Sequence, residues 1–228
     1  MPETRPADAV DTADYRVIHH CLRIAPHRLV AALMDFEPGD HPRARALERY
    51  WRGYAGEVLA HHTVEDEIFF PRLVERVPVV ADQLATVDAE HHRLDELMAA
   101  TGAAMTRLGT SAQRQDADDA AACLRELADL MDRHLDFEDT DLVPLFSRHF
   151  TAMEYSQMER AAKSSLSLSQ AAFTVPFVMY WAPPHEAAGM LAGAPLAMRL
   201  LYRATRRGHA RLTALALGRA ASTPEVVR

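Results

Sequence analysis

The sequence predicts an all-α protein, an up-down-up-down four-helix bundle with additional C-terminal helices, and three observations carry that prediction. Apolar residues recur at helical spacing along nearly the whole chain, and no segment shows strand alternation flanked by hairpin turns. Connections between the long helical patterns are short, which favours antiparallel neighbours. The third observation is a repeat. His61-His62-Thr63-Val64-Glu65-Asp66 and His134-Leu135-Asp136-Phe137-Glu138-Asp139 share His-x-x-x-Glu-Asp, each followed by an apolar pair and a proline, Pro71 or Pro144. Upstream of each copy stands His-His-x-Leu, at His19-His20-Cys21-Leu22 and His91-His92-Arg93-Leu94. The chain reads as a duplicated helical hairpin.

The first helix is expected from Asp11 or Thr12 to about Phe36, with Tyr15, His19, Leu22, Leu29 and Leu33 on one stripe and Pro26 predicting a kink or break. Glu37 to Pro42 is a turn in which Asp40 suits a cap and Pro42 a first helical turn. The second helix runs to about Val77, with Tyr50, Tyr54, Glu57, His61 and Glu65 inward. A third spans about Val80 to Leu108 with Leu84, Val87, His91, Leu94 and Met98 inward, and a fourth about Asp116 to Phe146 with Leu127, Leu130, His134 and Glu138 inward. Pro71 and Pro144 mark matched points where each helix should bend or end. The expected organisation is a flexible N-terminus over 1–11, the bundle over 12–150 and a helical extension over 151–228.

Composition narrows the function. A chain of 228 residues that is 49% hydrophobic can bury a substantial core. The two cysteines, Cys21 and Cys123, have neither metal-ligand spacing nor a disulfide framework, so a reducing cytoplasm is expected, with Cys123 a core residue. Met1 to Asp14 has no apolar core of a signal peptide, and no apolar run is long enough to span a bilayer. Residues 1–150 carry a net charge of −12 and residues 151–228 one of +5. The acidic body disfavours nucleic acid as a partner.

Histidine is the outlier, at twelve residues. His and Glu four apart on a helix lie one above the other and can reach one ion. One such pair is commonly a solvated face. Here both pairs fall on predicted inward faces, are duplicated, and are each preceded by a second duplicated His. Buried His and Glu are costly unless paired or metal-bound. The candidate metal ligands are therefore His19, His61, Glu65, His91, His134 and Glu138, with Glu57, Asp95 and Asp139 as secondary candidates. His20, His62 and His92 stand about 100° round the helix from these positions, so a packing or surface role is expected for each. Imidazole and carboxylate ligation without thiolate suits iron, with manganese or zinc as second choices. Six convergent ligands with two glutamates match a two-metal cage with open positions for a small ligand.

In order, spacing and helix placement, His19, His61 with Glu65, His91, and His134 with Glu138 or Asp139 resemble the signature of the hemerythrin-like, or His-His-Glu cation-binding, family. The resemblance covers roughly residues 12 to 150. It implies a four-helix bundle around a non-haem di-iron centre, with O2, peroxide or NO as the small ligand. One position departs from the oxygen carriers of that family, which place a further His where this chain has Asp95. A carboxylate there implies a more anionic centre that favours oxidation over reversible O2 storage. Tyr54, one turn from Glu57, reads either as a hydrogen-bond donor to a bound oxidant or as a core tyrosine.

Residues 151–228 lie outside that signature. Phe173 to Trp181 is an apolar run ended by Pro183-Pro184, and Pro195 to Leu212 reads as a basic amphipathic helix. Packing on the acidic bundle is the plainer expectation, and contact with a protein or membrane surface the other. Three functions remain open: a di-iron protein that binds or reduces a small oxidant, with an unidentified reductant if it is an oxidoreductase; an oxygen or iron sensor or storage protein signalling through its C-terminal helices; and a helical protein stabilised by zinc.

Overall fold

The computed structural model describes residues 10–221, and every regular element among them is helical. Of the N-terminal segment expected to be loose, residues 1–9 lie outside the described residues. Val10 is buried in one apolar cluster with Phe69, Phe70 and Tyr155, and Asp11 accepts a hydrogen bond from the Ala13 N–H at 2.9 Å, so the chain is held from residue 10 onward.

Helix α1 spans Ala13–Met34 and runs through Pro26 without ending. A proline inside a helix leaves the carbonyl four residues back without its donor. Here that carbonyl belongs to Leu22, and the Tyr54 hydroxyl donates to it at 3.0 Å. Helix α2, His41–Val64, begins as its sequence signals, with the Asp40 side chain accepting from the Arg43 N–H at 3.0 Å and Pro42 in the first turn. It passes into a π-helical turn, Glu65–Phe69, and then α3, Phe70–Arg76. A short 3-10 turn leads to α4, Ala81–Ser111, then α5, Arg114–Phe137. The second copy repeats the first, with a π turn at Glu138–Leu142 and then α6, Val143–His149.

The matched prolines account for the matched π turns. Pro71 and Pro144 have no N–H for the next helical bond, so the residue before each closes a wider ring, Phe70 N–H to Glu65 O and Val143 N–H to Glu138 O. The expected bend takes the form of a one-turn widening. The four long helices form a ring of neighbours in which α1 meets α5, α5 meets α4, α4 meets α2 and α2 meets α1.

Helix α7, Ala152–Ser165, opens with a capping box between Thr151 and Glu154 and packs on the first π turn. Then follow α8, Leu168–Trp181, α9, Pro184–Gly193, and α10, Leu196–Leu217. Helices α8 and α10 lie against each other and on α1 and α2. Phe177 and Trp181 are fully buried there, and the Trp181 indole donates to the Tyr50 hydroxyl at 2.8 Å. Each contributes on the order of 2–3 kcal/mol of burial. Glycine permits the approach: a Cβ on Gly53 would stand 2.2 Å from the Phe173 ring. Among the described residues, no helix is long and apolar enough to cross a membrane.

Candidate metal centre

The two copies meet inside the ring of long helices. The π turns start at Glu65 and Glu138, both fully buried, and aim them at the histidines of the neighbouring helices. Two groups of ligand atoms result. One comprises His62, Glu65, His91 and His134; the other His19, His61, Glu65 and Glu138; within each, the atoms lie within 4.8 Å of one another. Glu65 belongs to both groups. Its Oε1 is 3.1 Å from His61 Nε2 and 3.8 Å from His19 Nε2, while its Oε2 is 3.7 Å from His91 Nε2. Glu138 also spans them, with Oε2 3.5 Å from His19 Nε2 and Oε1 3.6 Å from His134 Nε2.

The outer nitrogens of three histidines fix which way their lone pairs point. His19 Nδ1 donates to Asp139 at 2.9 Å, His91 Nδ1 to Asp66 at 3.1 Å, and His134 Nδ1 to Glu90 at 3.0 Å. An ionised carboxylate only accepts, so each of these imidazoles carries its proton on Nδ1 and turns a bare Nε2 inward. There it faces carboxylate oxygens. Lone pair against anion is repulsive, and the Nε2 atoms of His19, His61, His91 and His134, both nitrogens of His62, Glu65 Oε2 and both oxygens of Glu138 are buried without a hydrogen-bond partner. Such a set is costly unless cations lie between its members. The residues therefore fit a metal site.

Titration behaviour points the same way. Burial works against the charge of Glu65, but positive charge at the His61 and His19 positions prevails and holds its carboxyl well below the usual range, the role a bound cation would take over when those imidazoles are neutral. Burial, and then the charge of Glu65, drive Glu138 well above it. Two buried carboxylates on one cage cannot both stay ionised without a counter-cation. Burial lowers His62, reinforced by His91, and lowers His134 against the pull of Glu90, so both are neutral, as ligation requires.

The structure brings together His19, His61, Glu65, His91, His134 and Glu138, and it differs from expectation at four other residues. His62, expected to pack or face solvent, is buried, with its ring stacked on His91 at 4.0 Å between centroids. The reason is the position of α2 between α1 and α4. Adjacent helical residues diverge by about 100°, so His61 meets His19 of α1 while His62 meets His91 of α4. His61 and His62 thus fall in different groups of ligand atoms. Asp95 is exposed and supplies no ligand. Asp139 lies behind His19 rather than in either group, also 3.5 Å from the Arg23 guanidinium. Glu57 turns away to accept from the Thr174 hydroxyl and from the Gln170 amide at 3.4 Å. Tyr54 follows the core reading of its two, buried and bonded to the carbonyl freed by Pro26.

The phenol beside the centre is Tyr15, whose hydroxyl donates to Glu65 Oε1. Burial, then the charge of Glu65, hold that phenol protonated far above its ordinary range. Its place on the His19 stripe was the available signal. For Asp66, the signal was the repeated Glu-Asp pair. His20 is half-buried and His92 exposed, as expected of positions off the inward face.

Residues 12–146 match the family model of the Hemerythrin HHE cation binding domain, which spans more than half of the chain. The chain belongs to the hemerythrin family. No curated protein matches it, and no solved structure does. The hemerythrin match ends at residue 146, so α7 to α10 lie outside it.

Proposed function

We propose that this hemerythrin-family protein holds two iron ions, one per ligand group, and binds or reduces a small oxidant, O2, H2O2 or NO. The observation that supports this reading best is the pair of groups that share Glu65. Five imidazoles and two carboxylates without thiolate suit iron, with manganese or zinc behind it. We assign the up-down-up-down bundle to 12–150, the helical extension to 151–228, and a cytoplasmic location to the whole.

When bound, the two irons would supply electrons and a template for the oxidant. The chain's own residues set the conditions. Asp139, Asp66 and Glu90 orient His19, His91 and His134, Glu65 and Glu138 supply the negative charge that balances the cations, and Tyr15 offers a proton-bearing hydroxyl on the His19–His61 side. His62 provides an imidazole that the Asp95 slot does not. The preference for oxidation over reversible binding inferred from Asp95 therefore loses its basis. Iron analysis of protein from iron-supplied cells should give about two ions per chain, and the reduced protein should change its absorbance on exposure to at least one of the three oxidants. One ion or none, or zinc in place of iron, would sink the reading.

A sensor or storage role is favoured by a different observation. Glu57, one helical turn before His61, is bonded to Thr174 and Gln170 of α8, which links the centre's helix to the extension. Absence of steady-state turnover with every oxidant and reductant pair would favour this second reading. The reductant and any protein or membrane contact of the extension belong to the same proposal.

A further inference from the structure

The extension does more than cover α1 and α2, because it leaves an apolar cleft between them and itself. The inner cavity, about 170 Å3, is bounded at its deep end by Tyr15, His61 and Glu57, and its walls include Ile18, Val64, Phe69 and Met190. A second cavity of about 350 Å3 adjoins it, sharing Ile18, Leu166, Thr174 and Met190 and adding Val175, Val178, Met179 and Met198. At the exposed end Lys163 pairs with Asp14 at 3.8 Å. The cleft thus runs from solvent, under α7, α8 and α9, to a residue of the candidate centre.

Size decides what it is for. A diatomic molecule or peroxide needs about the space of one water, about 30 Å3, an order of magnitude less than the outer cavity alone. Water in so apolar a space finds few partners, so an aliphatic occupant displaces it favourably. Charge decides the head group. Glu57 at the deep end is already bonded to Thr174 and Gln170, among the described residues no arginine lines the cleft, and the one lysine that does is at its mouth. An anionic head would find no lysine or arginine to pair with at the deep end.

We propose that this cleft binds an uncharged, chiefly aliphatic organic molecule whose single polar end lies at Tyr15, His61 and Glu57. The proposal deepens the function given above and rests on it for what that polar end meets. It makes the extension part of a ligand site and gives the centre an organic partner besides the small oxidant.

The test uses the full-length protein as isolated, labelled with 13C at the methionine methyls and titrated with 1-decanol. Met190, Met179 and Met198 should shift saturably while the exposed Met34 and Met153 stay still. Met190→Trp should weaken binding about tenfold or more with iron content unchanged, and Ala162→Trp, which narrows the same cleft from α7, is the second variant in case the first misfolds. Decanoate should bind about tenfold more weakly than decanol. The proposal is overturned by methyl shifts that never saturate or that move Met34 and Met153 equally, by folded variants that bind as tightly as the parent, or by decanoate binding as well as decanol. A protein without iron that still gives the methionine pattern would defeat the function proposed above and support the cleft.

Discussion

The two copies of the repeat keep the His, Glu, Asp and Pro of their shared pattern and differ at most other positions, three of which border the candidate centre. Where the first copy has His62 the second has Leu135, where the second has Glu90 the first has Ile18, and Tyr15 corresponds to Val87. Conversely, the Glu-Asp pair is kept in both and used crosswise: Asp66 of the first copy orients His91 of the second, and Asp139 of the second orients His19 of the first. The retained positions build the cage, and the changed ones make its two ends unequal. At one end three imidazoles, His62, His91 and His134, surround one position; at the other, two imidazoles and two carboxylates stand beside Tyr15 and the cleft. The exchange of Ile18 for Glu90 fits that division, because an isoleucine in place of the carboxylate leaves the wall behind His61 apolar.

The largest effect that tests this comparison belongs to the residue common to both ends. Glu65→Ala should abolish binding of both ions, because each group loses a carboxylate and Tyr15 loses its acceptor. His62→Ala should remove one ion and leave the other, with His61→Ala removing the opposite one. Metal content of the purified variants, read beside thermal unfolding to confirm folding, checks this. Full iron content in His62→Ala would show that the His62, His91 and His134 end is not a site, and the inequality of the two ends would vanish with it.

Next in size are the carboxylates behind the histidines, where the comparison predicts sameness rather than difference. Asp66→Asn and Asp139→Asn each replace an acceptor-only group by one whose orientation is ambiguous, so each should weaken metal affinity by about 10–100-fold. The two losses should be alike, and each should fall on the end that holds the affected imidazole. Competition with a chelator measures both. A loss confined to Asp139→Asn would mean that only the cleft end depends on this support, and that the second-copy His91 is held mainly by its stacking on His62.

Much of this was legible in the sequence, for identifiable reasons. Helical periodicity and the Asp40-x-Pro42 start placed α2 within a residue or so, and the repeat placed the four inward histidines and two glutamates. What escaped depended on three-dimensional neighbours. His62 looked misdirected because one inward direction was assumed for α2, whereas a helix between two partners has two. Asp95 was a candidate only through the slot that holds a further His in the oxygen carriers, and here that slot faces solvent. Tyr54 could be read as core but not given its partner, because the carbonyl it serves, Leu22 O, is freed by a proline on another helix. The π turns were implied only as bends, since Pro71 and Pro144 state that a bond is missing without stating how the preceding turn absorbs it.

The effect farthest from the metal ligands concerns folding stability in the layer on α1 and α2. His209 of α10 is buried among Tyr50, Phe173 and Tyr180, with Nε2 unpartnered, and burial lowers its pKa from 6.5 to about 4. Above pH 6.5 the folded and unfolded chains both hold it neutral, and it has no influence on pH dependence. Between 6.5 and 4 the unfolded chain takes up the proton and the folded one does not, so stability falls with acidification by about 1.4 kcal/mol per pH unit, reaching roughly 3 kcal/mol below pH 4. Urea unfolding of metal-free protein at pH 7 and pH 5, followed by tryptophan fluorescence with Trp181 in the affected layer, should show a loss at the lower pH to which His209 contributes about 2 kcal/mol, beside the contributions of His62 and His134, which burial also lowers. His209→Leu should reduce that loss. Metal affinity at neutral pH should not change, because His209 touches neither ligand group. An equal acid loss in the variant would place the sensitivity in the centre rather than the layer, and would remove acid lability as a distinction between the covered and uncovered halves of the protein.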